Sequence, residues 1–422
     1  MLQPNPERPP EFPPSFKTLP RARIAHEDYS YAPYYETRPD LLALDLLPTL
    51  ELPPEKAKIR PRTYVMRAVA GVALVGTLGY AADVGSNIDH ERRAQPSIST
   101  ILDPQNQAYK NHATLFDSGF NEGSADKLTT SVGPGIQTLA DGEAWSVHSN
   151  NTIGNSEAVF DKTIELAQLH GITSASVVTY SMGDMRGIQT ADKIATRSNI
   201  PVDLMVVISG PSSFDGLRET KKEEMALANG VVHTIPASAN STLLRYAFEL
   251  ASYMDRITRP EANPIDYVVK NTERLNEIIT NLSQQYSTGN YTSGSYLLGQ
   301  IDAIRTTDIE GSLKHIGQAA ADGKTQVPLL IYVATDGYDN VVDDEYSANE
   351  FKRFAEEAGI DFMIVKVKDV IHSQYDRPEA VQAFNLLFTA ISPEVKAIIA
   401  KNKADFYEQR YGPYLLDITK PR

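Results

Sequence analysis

The stretch SASVVTYSMGDMRG, Ser174–Gly187, decides the reading of this chain. Seven residues of small, β-branched and aromatic type predict a buried strand. The pattern then breaks at Ser181 into Met182 and Gly183 and resumes as a helical segment. A strand-to-helix turn of this kind projects the side chain at its apex and leaves the next backbone N–H facing the same space. Small residues permit the close packing that the turn needs. The local pattern is T-x-S-x-G, with Thr179 two residues before the serine and Gly183 two after it.

Working outward, short β-like runs alternate with helical ones: 113–118, 142–149, a helix over 156–170, the strand 174–180, a helix to about Arg197, and the strand 202–209. Much later come the strand 327–334, the helical 347–358 and the strand 360–368. Such alternation predicts a mostly parallel sheet with crossover helices, an α/β fold. Between its halves lies the insertion 212–326, with helical spacing over 243–254 and 267–282 and a Gly-, Ser- and Tyr-rich loop at 286–296. An insertion of that size beside a reactive serine is expected to be a lid that shapes a substrate pocket and excludes water.

The first 63 residues are of another kind. They hold 13 of the 26 prolines, interleaved with tyrosines such as Tyr29, Tyr31, Tyr34 and Tyr35, and read as an extended or disordered tail. Their nine acidic and nine basic side chains cancel, so the formal charge of −14 arises beyond them. An acidic body makes nucleic acid an unsuitable partner. The absence of cysteine excludes thiol catalysis, disulfides and Cys-ligated zinc, and no metal-ligand spacing or cofactor motif is present. The Gly-rich 133–142 lacks both a P-loop lysine and G-x-G-x-x-G.

Tyr64–Ala82 is 19 residues long with Arg67 its single charge, which fits a transmembrane helix. Lys56, Lys58, Arg60 and Arg62 crowd its N-terminal side, so the tail is expected in the cytoplasm and the body outside. A cleaved signal, a buried core helix and a cytosolic domain on a peripheral anchor are the alternatives. The expected layout is therefore a tail to residue 63, a span over 64–82, a linker with first strands over 83–112, core over 113–211, a cap over 212–326, core over 327–410 and a C-terminal tail.

A serine hydroxyl needs a base, and the base needs an orienting carboxylate. Of the eight histidines, His372 follows the last predicted strand and precedes DRPEAVQAFNLLF, a helix start. The others have plainer places: His112 in a polar linker, His170 at a helix end, and His148 in a turn where it could also reach substrate. The strand 327–334 ends in YVATDGYDNVVDDE, whose Asp339 and Asp336 are both candidates for the acid. Asp343 and Asp344 suit the start of the following helix.

With these residues assembled, residues 113–388 resemble the α/β-hydrolase family. The chain order nucleophile, acid, histidine matches Ser181, Asp339, His372, and IHSQYDRPEAVQAF resembles the family's histidine loop and last helix. The resemblance implies a Ser-His-Asp triad acting on a small-molecule or lipid acyl substrate without a cofactor. It also implies an oxyanion hole of two backbone N–H groups, those of Met182 and Phe120. Thr179 stands where the family has its first elbow glycine, and Ser118 where histidine often precedes Gly119. The rival expectation is a catalytically silent hydrolase-like domain that binds a partner at the membrane.

Overall fold

In the computed structural model, the described residues are 79, 81–89, 95–119, 123–149, 156–223, 225, 226, 240, 241, 272, 273, 276, 280, 294–335, 339, 341–368, 370, 372 and 375–418. Of the predicted membrane span only Gly79, Ala81 and Ala82 fall among them, and the Pro-rich tail and most of the predicted cap lie outside.

Seven strands form one sheet: β1 (Ser97–Leu102), β2 (His112–Asp117), β3 (Glu143–His148), β4 (Ser174–Tyr180), β5 (Val202–Ile208), β6 (Leu329–Thr335) and β7 (Asp361–Val367), in the spatial order β1-β3-β2-β4-β5-β6-β7. β1 pairs antiparallel with β3 and every other pairing is parallel. Parallel neighbours need crossovers, and helices supply them: α1 (Asp126–Gln137), α2 (Ser156–His170), α3 (Gly183–Arg197), α4 (Gly294–Thr306), α5 (Ile309–Ala321) and α6 (Asp344–Ala358), with α7 (Pro378–Ile418) following the last strand. The expected α/β fold, mostly parallel and flanked by helices, is what the chain adopts.

The central strands read as continuous apolar runs because both faces of the sheet are covered. On β6, Leu330, Tyr332 and Ala334 enter one core with residues of α3, α5 and α6, while Leu329, Ile331 and Val333 enter the other with residues of α1 and α7. The period of two divides one strand between two cores. α5, within the stretch 212–326, packs against α3 and α6 in the first core.

Three features depart from the sequence reading. The Gly-rich 133–142 is in part the end of helix α1, which carries Pro134 inside it. His112 is the buried first residue of β2, with Nδ1 2.8 Å from Ser174 Oγ and Nε2 3.0 Å from Ser176 Oγ. Two serines two residues apart on the neighbouring strand satisfy both ring nitrogens, which a polar-linker reading could not anticipate. Third, with the predicted span 64–82 almost wholly outside the described residues, a helix among those residues that is long and apolar enough by length and composition to cross a membrane lies at 378–410, where the sequence reading placed core. Its Phe384, Phe388 and Val395 are buried in the second core, although Leu386 on its outer side is 65% exposed.

Candidate active site

The turn after β4 is held by its backbone. Ser181 N–H still reaches across to Ile208 O at 2.9 Å, as a strand residue would, yet Ser181 has φ of 52° and the chain turns into α3. A positive φ on a non-glycine residue is a strained conformation that its surroundings must enforce. Here β2 enforces it: a β-carbon on Gly183 would lie 2.5 Å from Asp117 O and 2.6 Å from Ser118 O, so only glycine lets the elbow seat on the end of that strand. Met182 is the helix N-cap, and N–H groups at a helix start lack intrahelical partners.

Ser181, His372 and Asp339 come together although 191 and 33 residues separate the bonded pairs. Ser181 Oγ lies 2.7 Å from His372 Nε2, and His372 Nδ1 lies 2.6 Å from Asp339 Oδ2. Oδ1 of Asp339 accepts the N–H groups of Val341 and Val342, both at 2.8 Å. Burial would raise the Asp339 carboxyl, but the His372 bond and charge and those two N–H donors outweigh it and hold the group below its ordinary value. An ionised carboxylate only accepts, so Nδ1 of His372 carries the proton and Nε2 is left to accept from the Ser181 hydroxyl. The ring of His372 also rests on Tyr180, centroids 5.3 Å apart, and Tyr180 packs on Tyr375. Ser181 is 3% exposed and His372 5%, so the triad is covered.

Behind Asp339 stands a second carboxylate, which the sequence reading placed merely at a helix start. Asp343 is the N-cap of α6, its side chain accepting from Tyr346 N–H. Asp344, the next residue, turns inward: Oδ1 accepts from Tyr332 Oη at 2.7 Å, and Oδ2 from Thr335 N–H at 2.8 Å and Thr335 Oγ1 at 2.9 Å. The Thr335 hydroxyl is also 3.3 Å from Asp339 Oδ2, so one hydroxyl lies between two carboxylates. Burial and the Asp339 charge raise Asp344. No spacing rule marks this pair, because Thr335 and Asp344 meet only when the loop after β6 folds back.

On the other side of Ser181, Arg186 of α3 forms a two-pronged pair with Asp117, Nε to Oδ2 at 2.7 Å and Nη2 to Oδ1, while Nη1 donates to Ser149 Oγ at 2.9 Å. Neither residue was singled out from sequence. Asp184 is wholly buried, and burial with the nearby Asp117 charge pushes it well above the ordinary carboxylate range. His148 is occupied structurally, with Nε2 2.7 Å from Ser99 Oγ and 3.1 Å from Asp126 Oδ1. Phe120 and Asp336 lie outside the described residues. Among the described residues no group of three His, Asp or Glu side chains is placed to hold a metal.

No family model and no curated protein matches the sequence. Solved structures with a similar trace include one from work on carboxylesterases of the thaumarchaeon Nitrososphaera gargenis, at 12% identity and TM-score 0.42, covering 71% of this chain and 95% of that one. A putative non-heme bromoperoxidase of Mycobacterium tuberculosis is similar at 14% identity and TM-score 0.41, covering 70% and 95%. A putative aryl esterase of Burkholderia cenocepacia is similar at 12% identity and TM-score 0.42, covering 72% and 95%. Taken on its own strand order, its single antiparallel edge and its strand-to-helix elbow, the chain has an α/β-hydrolase-like fold.

Proposed function

We propose that the protein is a serine hydrolase that cleaves an ester, thioester or related acyl bond through an acyl-enzyme intermediate. The observation that carries this reading is the continuous hydrogen-bond chain from Ser181 Oγ through His372 to Asp339. In the proposed reaction Ser181 Oγ attacks the acyl carbonyl carbon while its proton passes to His372 Nε2. Asp339 keeps the imidazole in the required tautomer and stabilises the imidazolium. The carbonyl oxygen becomes an oxyanion bonded by the Met182 N–H and, as the resemblance implies, that of Phe120. Collapse breaks the bond to the leaving alcohol or thiol, which takes the proton from His372. Water then repeats the steps and frees the acid.

The insertion acts in this proposal as a lid. One of its helices, α4, reaches the loop beside the elbow through Gln300, whose Nε2 is 3.5 Å from Gly119 O, and the covered Ser181 then needs the lid to move before a substrate enters. Tyr64–Ala82 would anchor the enzyme as a single span, with the Pro-rich tail cytoplasmic and the hydrolase domain outside. Protease accessibility in intact cells tests that topology: cleavage within the domain from outside supports it, and full protection rejects it.

The catalytic assignment is tested with a fluorophosphonate probe. Wild-type protein should be labelled and Ser181→Ala should not; equal labelling of the two rejects Ser181 as the nucleophile.

A further inference from the structure

Between the elbow and α4 lies a cavity of about 30 Å³, lined among others by Ser118, Met182, Arg186, Gln300, Ala303 and Thr307. It adjoins the reacting centre: Met182 follows Ser181, and Ser118 precedes Gly119, where a β-carbon would lie 2.8 Å from Ser181 Cβ. Its floor is fixed, because Arg186 is pinned by Asp117 and Ser149.

The Ser118 hydroxyl is the unusual group here. It is 3% exposed and has no hydrogen-bond partner among the described residues. A buried hydroxyl left unpaired costs about 1–3 kcal/mol, a cost that persists where a function uses the group. The Ser118 hydroxyl does not hold the described fold together, since it bonds to nothing among the described residues. What remains is an unpaired donor and acceptor on a residue that lines a small cavity beside the nucleophile.

We propose that this cavity is the acyl subsite and that it selects a short acyl group bearing an oxygen on the carbon next to its carbonyl, with Ser118 donating its hydroxyl to that oxygen. The inference rests on the hydrolase reading above and names its substrate class. Size supports it, since at about 10–15 Å³ for each water-sized group the cavity admits two or three non-hydrogen atoms beyond the carbonyl. Polarity supports it too. The methylenes of Met182 and the methyl of Ala303 can pack on carbon, but a purely alkyl chain would leave Ser118 unpaired and lie against a buried ion pair that gains nothing from it. A site built to bond a substrate oxygen discriminates more strongly than one that merely accommodates a methylene.

The test compares methoxyacetyl and butyryl esters of one alcohol, which differ by an oxygen in place of a methylene, in wild type, Ser118→Ala and Gln300→Ala. Because the two esters differ in intrinsic reactivity, the quantity read is the change in their kcat/KM ratio between proteins. Ser118→Ala should lower the methoxyacetyl preference about tenfold, the loss of one hydrogen bond. It should leave Tm unchanged or raise it, because no internal bond is removed. Gln300→Ala should reduce the preference less, by opening the cavity. An unchanged ratio in Ser118→Ala, a fall in its Tm of several degrees, or octanoyl esters turned over as fast as methoxyacetyl esters would each overturn the proposal. Binding to Ser181→Ala, followed by ligand-observed NMR, separates this from the reaction. Preferential, Ser118-dependent binding of the methoxyacetyl ester upholds the subsite even if wild type cleaves nothing and the hydrolase reading fails. Equal binding of the two esters rejects the subsite even if wild type is an active hydrolase.

Discussion

The γ-methyl of Thr179 fills the space that Gly187 leaves open: a β-carbon on Gly187 would sit 2.2 Å from Thr179 Cγ2. Thr179 is the position at which the elbow pattern departs from G-x-S-x-G, and the bulk it adds below Ser181 is received one turn into α3 by a glycine. The two residues form a matched pair across the strand–helix contact, and the departure at one depends on the other.

Gly187→Ala should therefore destabilise the protein by about 1–3 kcal/mol, the usual cost of overpacking. This outcome opposes helix propensity, which favours alanine over glycine by about 1 kcal/mol in a helix interior. Thr179→Ser removes the γ-methyl and keeps the hydroxyl, so in that background Gly187→Ala should be neutral or stabilising. Urea denaturation of the four proteins gives the coupling; additive effects would mean that the two side chains do not meet.

Asp339→Asn should leave Ser181 in place but lower ester turnover by about 10⁴-fold, the scale expected when the orienting carboxylate of a serine triad loses its charge. The amide can present an N–H to His372 Nδ1, which favours the wrong tautomer. Single-turnover acylation measures the loss, and a variant within tenfold of wild type would move the acid's role elsewhere, to Asp336 first.

Asp344 offers a finer test, because it touches Asp339 only through the Thr335 hydroxyl. Burial and the Asp339 charge raise Asp344 against the three donor bonds from Tyr332 and Thr335, and in its ionised form its negative charge adds to that of Asp339 in stabilising the His372 imidazolium. Asp344→Asn removes that charge while its oxygen can keep Thr335 and its NH2 can turn to the Tyr332 oxygen. kcat/KM should therefore fall by roughly three- to tenfold with Tm unchanged, the effect of losing one nearby charge in a partly screened site. A purely structural role would lower Tm and leave kcat/KM of the folded protein where it was.

The fold was legible in the sequence where one rule acted alone. Strands β4, β5, β6 and β7 are apolar runs bounded by turn residues, and each lies within two residues of its expected bounds. That Ser181, His372 and Asp339 would meet could be read because chain order and strand ends constrain them together. Helix α1 was missed because Gly133, Pro134 and Gly135 outweigh its apolar spacing locally, and burial of Leu128, Val132 and Ile136 in the second core overrides that propensity. The Arg186–Asp117 pair and the Thr335–Asp344 contact were illegible for a different reason. Their partners lie on different strands and loops, and only the sheet order brings them together.

The same limit hid His112 and Asp203, which meet at the opposite end of the sheet, and their pairing predicts a pH response that neither alone would give. His112 Nδ1 is 3.5 Å from Asp203 Oδ2, and both side chains are buried. Burial, aided by the Lys403 charge, lowers His112 from 6.5 to about 4. Burial raises Asp203 from 3.8 to about 7, against the opposing pull of Lys403 and the Ser174 bond. Between pH 4 and 6.5 the unfolded chain therefore holds a proton on His112 that the folded chain does not, which makes stability rise with pH. Over nearly the same window the folded chain holds a proton on Asp203 that the unfolded chain lacks, which makes stability fall. The two slopes cancel, and the pair stays neutral in the core. Asp203→Asn removes the falling term alone, so the variant should gain on wild type as pH rises from 4 to 7, by up to about 1.4 kcal/mol per pH unit. Urea denaturation at half-unit intervals measures the difference. A gap independent of pH would show that folding adds no proton to the His112–Asp203 pair over this range.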